Sequence, residues 1–326
     1  MKATPSRRCT YVAAIALATM LPIAACGARE NAPSNFPQRS IQVIVPYPAG
    51  SGIDTTTRAL ADIINEGDAL SEDLQIVNRD GGGGSVGTTE ILQAKADGYT
   101  IGVVPDGPLT LVPQVEEIAY DPDALTMIDE VIESPIIFVV PEASPYQNLQ
   151  DLIDAAKDEP SSITIGEGPL NYAIPATEFE QKAGVKLKHI DFDGDQATTT
   201  ALLGDNVDVG VMQLASALPQ LKSGKIRALG VTAAKPVDLV PDVETFASQG
   251  VDIDWSAYNM VIAPDGVPDD VVEDLEGAFS DAIDSDEFAD AAEKLGLIVS
   301  GIGPDDATQH LRDKTEASTP ILETLG

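Results

Sequence analysis

Several loops in the sequence place polar groups between an apolar run and a helical pattern, the position from which main-chain donors reach a ligand. The first is Val45-Pro46-Tyr47-Pro48-Ala49-Gly50-Ser51-Gly52-Ile53-Asp54. It follows the strand-like run Ile41–Val45 and leads into Thr55–Glu66, whose apolar residues recur at helical spacing. Two prolines, two glycines and a serine leave little side chain to offer. The chemistry is then that of backbone N–H groups. A helix N-terminus carries about half a positive charge and up to four unpaired donors, so a glycine-rich loop there binds a carboxylate or phosphate without a basic residue. Gly50 and Gly52 let a ligand approach the main chain, and Ser51 adds a hydroxyl. Asp54 either caps the helix or accepts a hydrogen bond from a ligand hydroxyl or amino group. The same residues also suit a tight turn that binds nothing.

In the second loop, Gly82-Gly83-Gly84-Ser85-Val86-Gly87 satisfies G-x-G-x-x-G after a strand, the dinucleotide fingerprint, and Asp106 falls near its expected acidic position. A fingerprint opens at the first strand of its domain, and this loop follows the second. A backbone anion loop or a solvated turn fits better. The third loop, Gly166-Glu167-Gly168-Pro169-Leu170-Asn171-Tyr172, also precedes a helix. The fourth, Asp191-Phe192-Asp193-Gly194-Asp195-Gln196-Ala197, alternates carboxylates like the start of a calcium loop. Its glycine comes two residues early, however, and Leu202 stands where the bidentate Glu belongs, so no calcium is expected.

Catalytic arrangements are missing. The chain has two histidines, His189 in a strand pattern and His310 on a helix face. It offers no Ser-His or Cys-His pair and no zinc site. The expectation is a binding protein with no catalytic residue, metal or cofactor.

The elements that position these loops alternate strand with helix along most of the chain, which predicts parallel βαβ units and an α/β fold with helices on both sheet faces. So long an α/β chain exceeds what one core supports, so two lobes are expected. Candidate crossings lie near Ile136–Val140 and near Val243–Gly250. They divide the chain into residues 38–137 with 248–326 as lobe 1, and 138–247 as lobe 2.

The N-terminus is of another kind. Lys2, Arg7 and Arg8 precede the apolar run Tyr11–Ile23 and the small residues Ala24-Ala25-Cys26, the pattern of an export signal over 1–25. Leu21–Cys26 resembles a bacterial lipobox, in which the chain is cut before a cysteine that is then lipidated; the alternative is a plain secretory signal. Residues 26–37 read as a flexible tether. The formal charge is −34 over 326 residues, which excludes nucleic acid and an anionic membrane surface as partners. An anionic ligand would be repelled at long range, screened only beyond about 8 Å at physiological salt. Any anion site must work through local dipoles.

Taken together, IQVIVPYPAGSGIDTTTRALA, VNRDGGGGSVGTTEILQAKADGYTI, DNVDVGVMQLASALPQLKSGKIRALGVTAAKP and MVIAPDGVP are similar to receptors of the tripartite tricarboxylate transporter family, from about Phe36 to the C-terminus. The resemblance implies a two-lobed, type II periplasmic-binding-protein-like fold with crossing hinge strands. A small carboxylate would be enclosed between the lobes, held by backbone groups, hydroxyls and water. On that basis Tyr47, Ala49, Gly50, Ser51, Gly52 and Asp54, with Gly83, Gly84 and Ser85, supply the first lobe's share of the site. Gly168, Asn171, Tyr172, Asp193, Gly194, Gln196 and Gln213 supply the second. The partners implied are the carboxylate, membrane permease subunits and, through Cys26, the lipid bilayer; the receptor is expected as a monomer on the outer face of the cytoplasmic membrane. A receptor feeding a signalling partner is the alternative, and an exported nucleotide-using enzyme a third reading. Two departures stand out. Pro169-Leu170-Asn171-Tyr172-Ala173 replaces a small Gly/Ser loop followed by His, and Phe192-Asp193 replaces a tyrosine and lysine before Gly194. Both fall in expected cleft loops, and aspartate in place of lysine favours a ligand with fewer negative charges, or one bearing an amino or cationic group.

Overall fold

A computed structural model describes residues 36–67 and 69–325; the export signal, Cys26 and all but the end of the tether lie outside them. At that end Phe36 packs edge-on against Tyr99, centroids 5.0 Å apart, and the Pro37 carbonyl accepts a 2.6 Å bond from Ser71 Oγ.

Short, nearly unbroken apolar runs set the strands, as they do where both sheet faces are covered. The first half of the chain forms β1 (Ile41–Val45), α1 (Gly52–Glu66), β2 (Leu74–Asn78), α2 (Ser85–Leu92), β3 (Thr100–Pro105) and the short turns of helix α3 (Gly107–Thr110) and α4 (Val112–Val115). The long β4 (Leu125–Pro141) leads away to α5 (Leu149–Asp158), β5 (Thr164–Glu167), α6 (Leu170–Ala183), β6 (Lys188–Asp191), α7 (Asp195–Leu203), β7 (Val209–Gln213), α8 (Leu214–Lys222) and β8 (Ile226–Val231). The chain returns through β9 (Ser256–Pro264) to α9 (Asp269–Ile283), α10 (Asp286–Leu295), β10 (Ile298–Val299) and α11 (Gly303–Leu325).

One sheet runs β2-β1-β3-β9-β4-β7-β5-β6, with β8 and β10 also paired to β4. The βαβ alternation is parallel as the sequence predicts: β1 with β2 and β3, β5 with β6 and β7. At the crossing the expectation of parallel pairing fails, because β9 runs antiparallel to both β3 and β4, and β4 antiparallel to β7 and β8. The reason is topological: β4 carries the chain out and β9 carries it back, and strands that cross in opposite directions can lie side by side only in antiparallel order. β4 pairs with β9 from Leu125 to Pro135, then with β7 and β8 from Ile136 onward. Its register slips between Met127 and Asp129 and again between Glu130 and Ile132, irregularities that bend a strand.

Each half of the sheet has apolar clusters of its own. Around β1 to β3, α1 and α9 contribute Leu60, Ile64, Leu275 and Phe279 to one cluster, while Ile44, Ile91, Val104 and Met260 form another. Around β5 to β8, Phe138, Phe179 and Phe246 meet edge-on, centroids 4.8 to 5.9 Å apart, and Leu202, Met212, Leu218 and Val231 form a fourth cluster. Phe246, Val251, Ile253 and Trp255 all pack with Phe138, so the returning chain leaves this half only at β9. The helix α11 belongs to both halves: Ala307 and Leu311 pack with Ile44 and Met260, while Ile321 and Leu322 pack with Phe138 and Phe179.

Candidate ligand-binding site

A cavity of about 740 Å³ opens between the two halves, within the roughly 300–1,000 Å³ of small-molecule sites. Ile132 and Ser134 of β4, with Ala257 and Asn259 of β9, line it from the crossing strands. Besides the short α3 and α4, four longer helices begin at its wall: α1 at Ser51-Gly52, α6 at Pro169-Leu170, α7 at Gly194 and α8 at Gln213. These helices are 15, 14, 9 and 9 residues long, enough for each start to present the positive end of an aligned dipole. No Lys or Arg lines the cavity among the described residues.

Of the residues expected to bind, Tyr47, Ser51, Gly52, Gly83, Asn171, Tyr172, Gly194 and Gln213 line this cavity. Ala49 and Gly50 stand exposed beside Ser51. Asp54 is buried beneath the loop, where it accepts from the Gly50 N–H at 2.7 Å, Asn78 Nδ2 at 2.8 Å, and Arg58 Nε and Nη2 at 3.0 and 2.9 Å. Burial pushes its carboxyl up, but the bonds from Arg58, Gly50 and Asn78 outweigh it and hold Asp54 below the usual carboxylate range. Asp54 therefore braces the loop, and it neutralises Arg58. Gly50 has φ of +83°, which only glycine adopts freely, and that places its N–H over Asp54.

The glycine-rich loop is bound to the first. Tyr47 Oη donates to the Gly83 carbonyl at 3.0 Å, and Asn78 Nδ2 reaches the Tyr47 carbonyl at 3.0 Å. Burial and the nearby Asp106 push the Tyr47 phenol up to about 12, so it stays a donor. Gly84, at φ of +99°, lies under the Tyr47 ring, and Ser85 Oγ closes on the Gly82 carbonyl at 2.7 Å. Only Gly83 of the three expected here faces the cavity.

On the second half Gly168 is buried, with Tyr172 and Gly194 packed around it. Tyr172 hydrogen-bonds Asp195, and burial, followed by the Asp195 charge, pushes its phenol well above the ordinary value. Asp195 turns inward to Ser216, Tyr172 and the Gln213 N–H; burial outweighs these bonds and raises its carboxyl. Asp193 and Gln196 turn the other way and line a separate open groove with Phe192 and Asn206.

The floor rests on a residue the loops do not contain. Lys314 of α11 is buried; its ammonium pairs with Asp106 at the end of β3, donates to Asn171 Oδ1 at 3.0 Å, and also bonds the Ser256 carbonyl. It lies 4.4 Å from the Trp255 ring centroid and 5.3 Å from that of Tyr258, and Trp255 Nε1 donates to the Asn171 carbonyl at 2.9 Å. Burial lowers the Lys314 pKa against the pull of Asp106. One ammonium thus joins a cavity residue from each half and a crossing strand. Trp255 and Tyr258 back this joint and do not line the cavity.

Two lining hydroxyls, Ser51 Oγ and Ser134 Oγ, are buried with no hydrogen-bond partner. Ser134 is 1% exposed, and an unpaired polar atom at that depth is costly unless a ligand or water meets it. Ser134, Asn259 and Lys314 were not singled out from the sequence, and Asp106 only as the acidic position of a dinucleotide fingerprint; Ser134 stands between Glu133 and Pro135 with no local pattern to mark it. Both histidines sit against carboxylates, His189 Nδ1 at 2.8 Å from Glu167 and His310 Nδ1 at 2.9 Å from Glu130, and neither lines the cavity.

A two-lobed α/β chain with its cavity between the halves, walled by helix starts, hydroxyls and amides and backed by strands that cross, is a binding protein of the periplasmic type. The chain belongs to the receptors of the tripartite tricarboxylate transporter family, whose model matches residues 57–326. The match begins just inside α1, after the first loop. A UPF0065 protein encoded in the gbd 5′ region of Cupriavidus necator is 29% identical over 96% of both chains. A TctC solute-binding protein from Polaromonas superposes with a TM-score of 0.80 at 22% identity, covering 89% of this chain and 99% of the other. Rpa4515 of R. palustris, solved with adipate, gives 0.77 at 24% identity, covering 89% and 98%.

Proposed function

We propose that this receptor captures a small carboxylate between its lobes, without chemistry, and delivers it to a tripartite tricarboxylate-type permease. The observation that carries the reading is the cavity wall: four helix starts and the unpartnered Ser51 and Ser134 hydroxyls converge where no basic side chain is free. An anion in such a place is held by dipoles and neutral donors. The adipate in Rpa4515, a protein of the same fold, supports the same chemistry. Closure of the lobes by hinge motion would follow from ligand contacts to both. Cys26 is the proposed lipid attachment that keeps the receptor, as a monomer, on the outer face of the cytoplasmic membrane.

Binding is tested by calorimetry and thermal shift with carboxylates, their amides and amines. A true ligand at 100 times its Kd adds about 2.7 kcal/mol to stability. Stabilisation by acids and not by their amides is expected; stabilisation by amines alone would overturn the reading. The anchor is tested separately: Cys26→Ala should release the protein from membrane fractions.

A further inference from the structure

The cavity wall also bears on how many charges the ligand carries. The ammonium against its floor, Lys314, is already paired with Asp106, and the other carboxylate in the lining is Glu116. The favourable groups that remain are all neutral: the helix starts, the Ser51 and Ser134 hydroxyls and side-chain amides such as those of Gln213 and Asn259, Ser134 Oγ being unpartnered in a residue 1% exposed. Much of the remaining lining is apolar and offers no side-chain donor: Pro108, Leu111, Val112, Leu170, Leu295 and Leu297. A carboxylate desolvated against such side chains, without a cation or several N–H groups, is strongly disfavoured. An alkyl or aryl body is favoured there in proportion to the area it removes from water. A cavity of about 740 Å³ has room for such a body.

We propose that the cleft selects a singly charged carboxylate with a bulky apolar body, such as a medium-chain alkanoate or an arylalkanoate, over di- and tricarboxylates. This rests on the carboxylate reading above and narrows it. Hexanoate and adipate isolate the difference, since they share a six-carbon chain and differ by one carboxylate. Titration calorimetry on the purified protein would compare hexanoate, 4-phenylbutyrate, adipate, citrate and hexanamide. Hexanoate and 4-phenylbutyrate are expected to bind at least about 10-fold more tightly than adipate or citrate, a difference of about 1.4 kcal/mol, and hexanamide more weakly than hexanoate. Adipate or citrate binding as tightly as hexanoate would overturn this inference and leave the carboxylate reading standing. Hexanamide matching hexanoate, or no binding by any acid, would overturn both.

Discussion

The cavity is bordered by two ion pairs of opposite character. Asp54–Arg58 lies one helical turn apart in sequence at the edge of the first loop, with the arginine side chain 47% exposed. Asp106–Lys314 joins β3 to α11, with side chains 1% and 4% exposed. With its arginine half in solvent, a pair of the first kind contributes little through its charges, and its value lies in the hydrogen bonds the buried Asp54 accepts. A buried pair of the second kind gains little net energy over apolar residues of the same size, yet losing one partner leaves a desolvated charge. The first pair shapes a loop. The second fixes where two halves meet, because Lys314 also holds Asn171 and the Ser256 carbonyl.

The largest effect should come from breaking the buried pair. Lys314→Met leaves Asp106 charged and unpaired and should cost about 3–5 kcal/mol in denaturant unfolding. The double variant Lys314→Met, Asp106→Leu should recover most of that loss, while ligand affinity stays low because Asn171 has lost its ammonium. A single variant within about 1 kcal/mol of wild type would show the two pairs to be alike after all. Next in size is Gly84→Ala. A Cβ there would sit 2.8 Å from Pro108 Cγ and 3.2 Å from the Tyr47 ring, at φ of +99°. Overpacking and backbone strain together should cost roughly 2–4 kcal/mol and displace Tyr47, measured by the same unfolding titration.

The contrast also marks what the sequence could show. Asp54–Arg58 has helical spacing and sits beside a loop whose prolines and glycines announce a strand-to-helix turn, so the first half of the site was legible. Asp106 and Lys314 meet only because β3 ends where α11 crosses, which no local pattern encodes. The fold divides in the same way. Apolar runs and period-3.6 patterns revealed β1 to β3 and their helices. Of β4 only Ile136–Val140 was legible, as a candidate crossing, because Asp129, Glu130 and Glu133 interrupt its first half. Those acids are satisfied from far along the chain: Asp129 by the Gly303 N–H at 3.0 Å, Glu130 by His310 and Ser300, and Glu133 by Ser256 Oγ at 2.7 Å. Ser134 was hidden for a related reason. A serine in an apolar strand is ordinary until the strand is seen to floor a cavity.

Asp54→Asn sharpens the comparison from the other side. The amide removes the charge and disrupts bonds with Gly50, Arg58 and Asn78, at a cost of about 1–2 kcal/mol, less than loss of Lys314. Its pH signature is distinct. The folded pKa of Asp54 is lowered, so the folded state releases the proton more readily than the unfolded chain, and the stabilisation is present above the unfolded value. It is lost as pH falls through the folded value. Melting temperature against pH should therefore drop more steeply in acid for wild type than for Asp54→Asn, and parallel curves would mean that Asp54 does not hold the loop.

The smallest change in stability belongs to Ser134→Ala, and it separates bracing from binding. Asp54 and Lys314 hold other protein groups, so their loss lowers stability and affinity together. Ser134 Oγ holds none. Deleting an unpartnered buried hydroxyl removes a desolvation cost and no protein hydrogen bond, so the empty protein should unfold within about 0.5 kcal/mol of wild type. If the hydroxyl meets the ligand, the same change should weaken binding by about 1 kcal/mol, roughly 5- to 10-fold in Kd by calorimetry. An unchanged Kd would place the ligand away from the crossing strands. A weakened Kd with unchanged stability would make β4 both the path between the lobes and part of the surface that recognises the ligand, which is how occupancy of the cleft could bias a hinge made from the same strand.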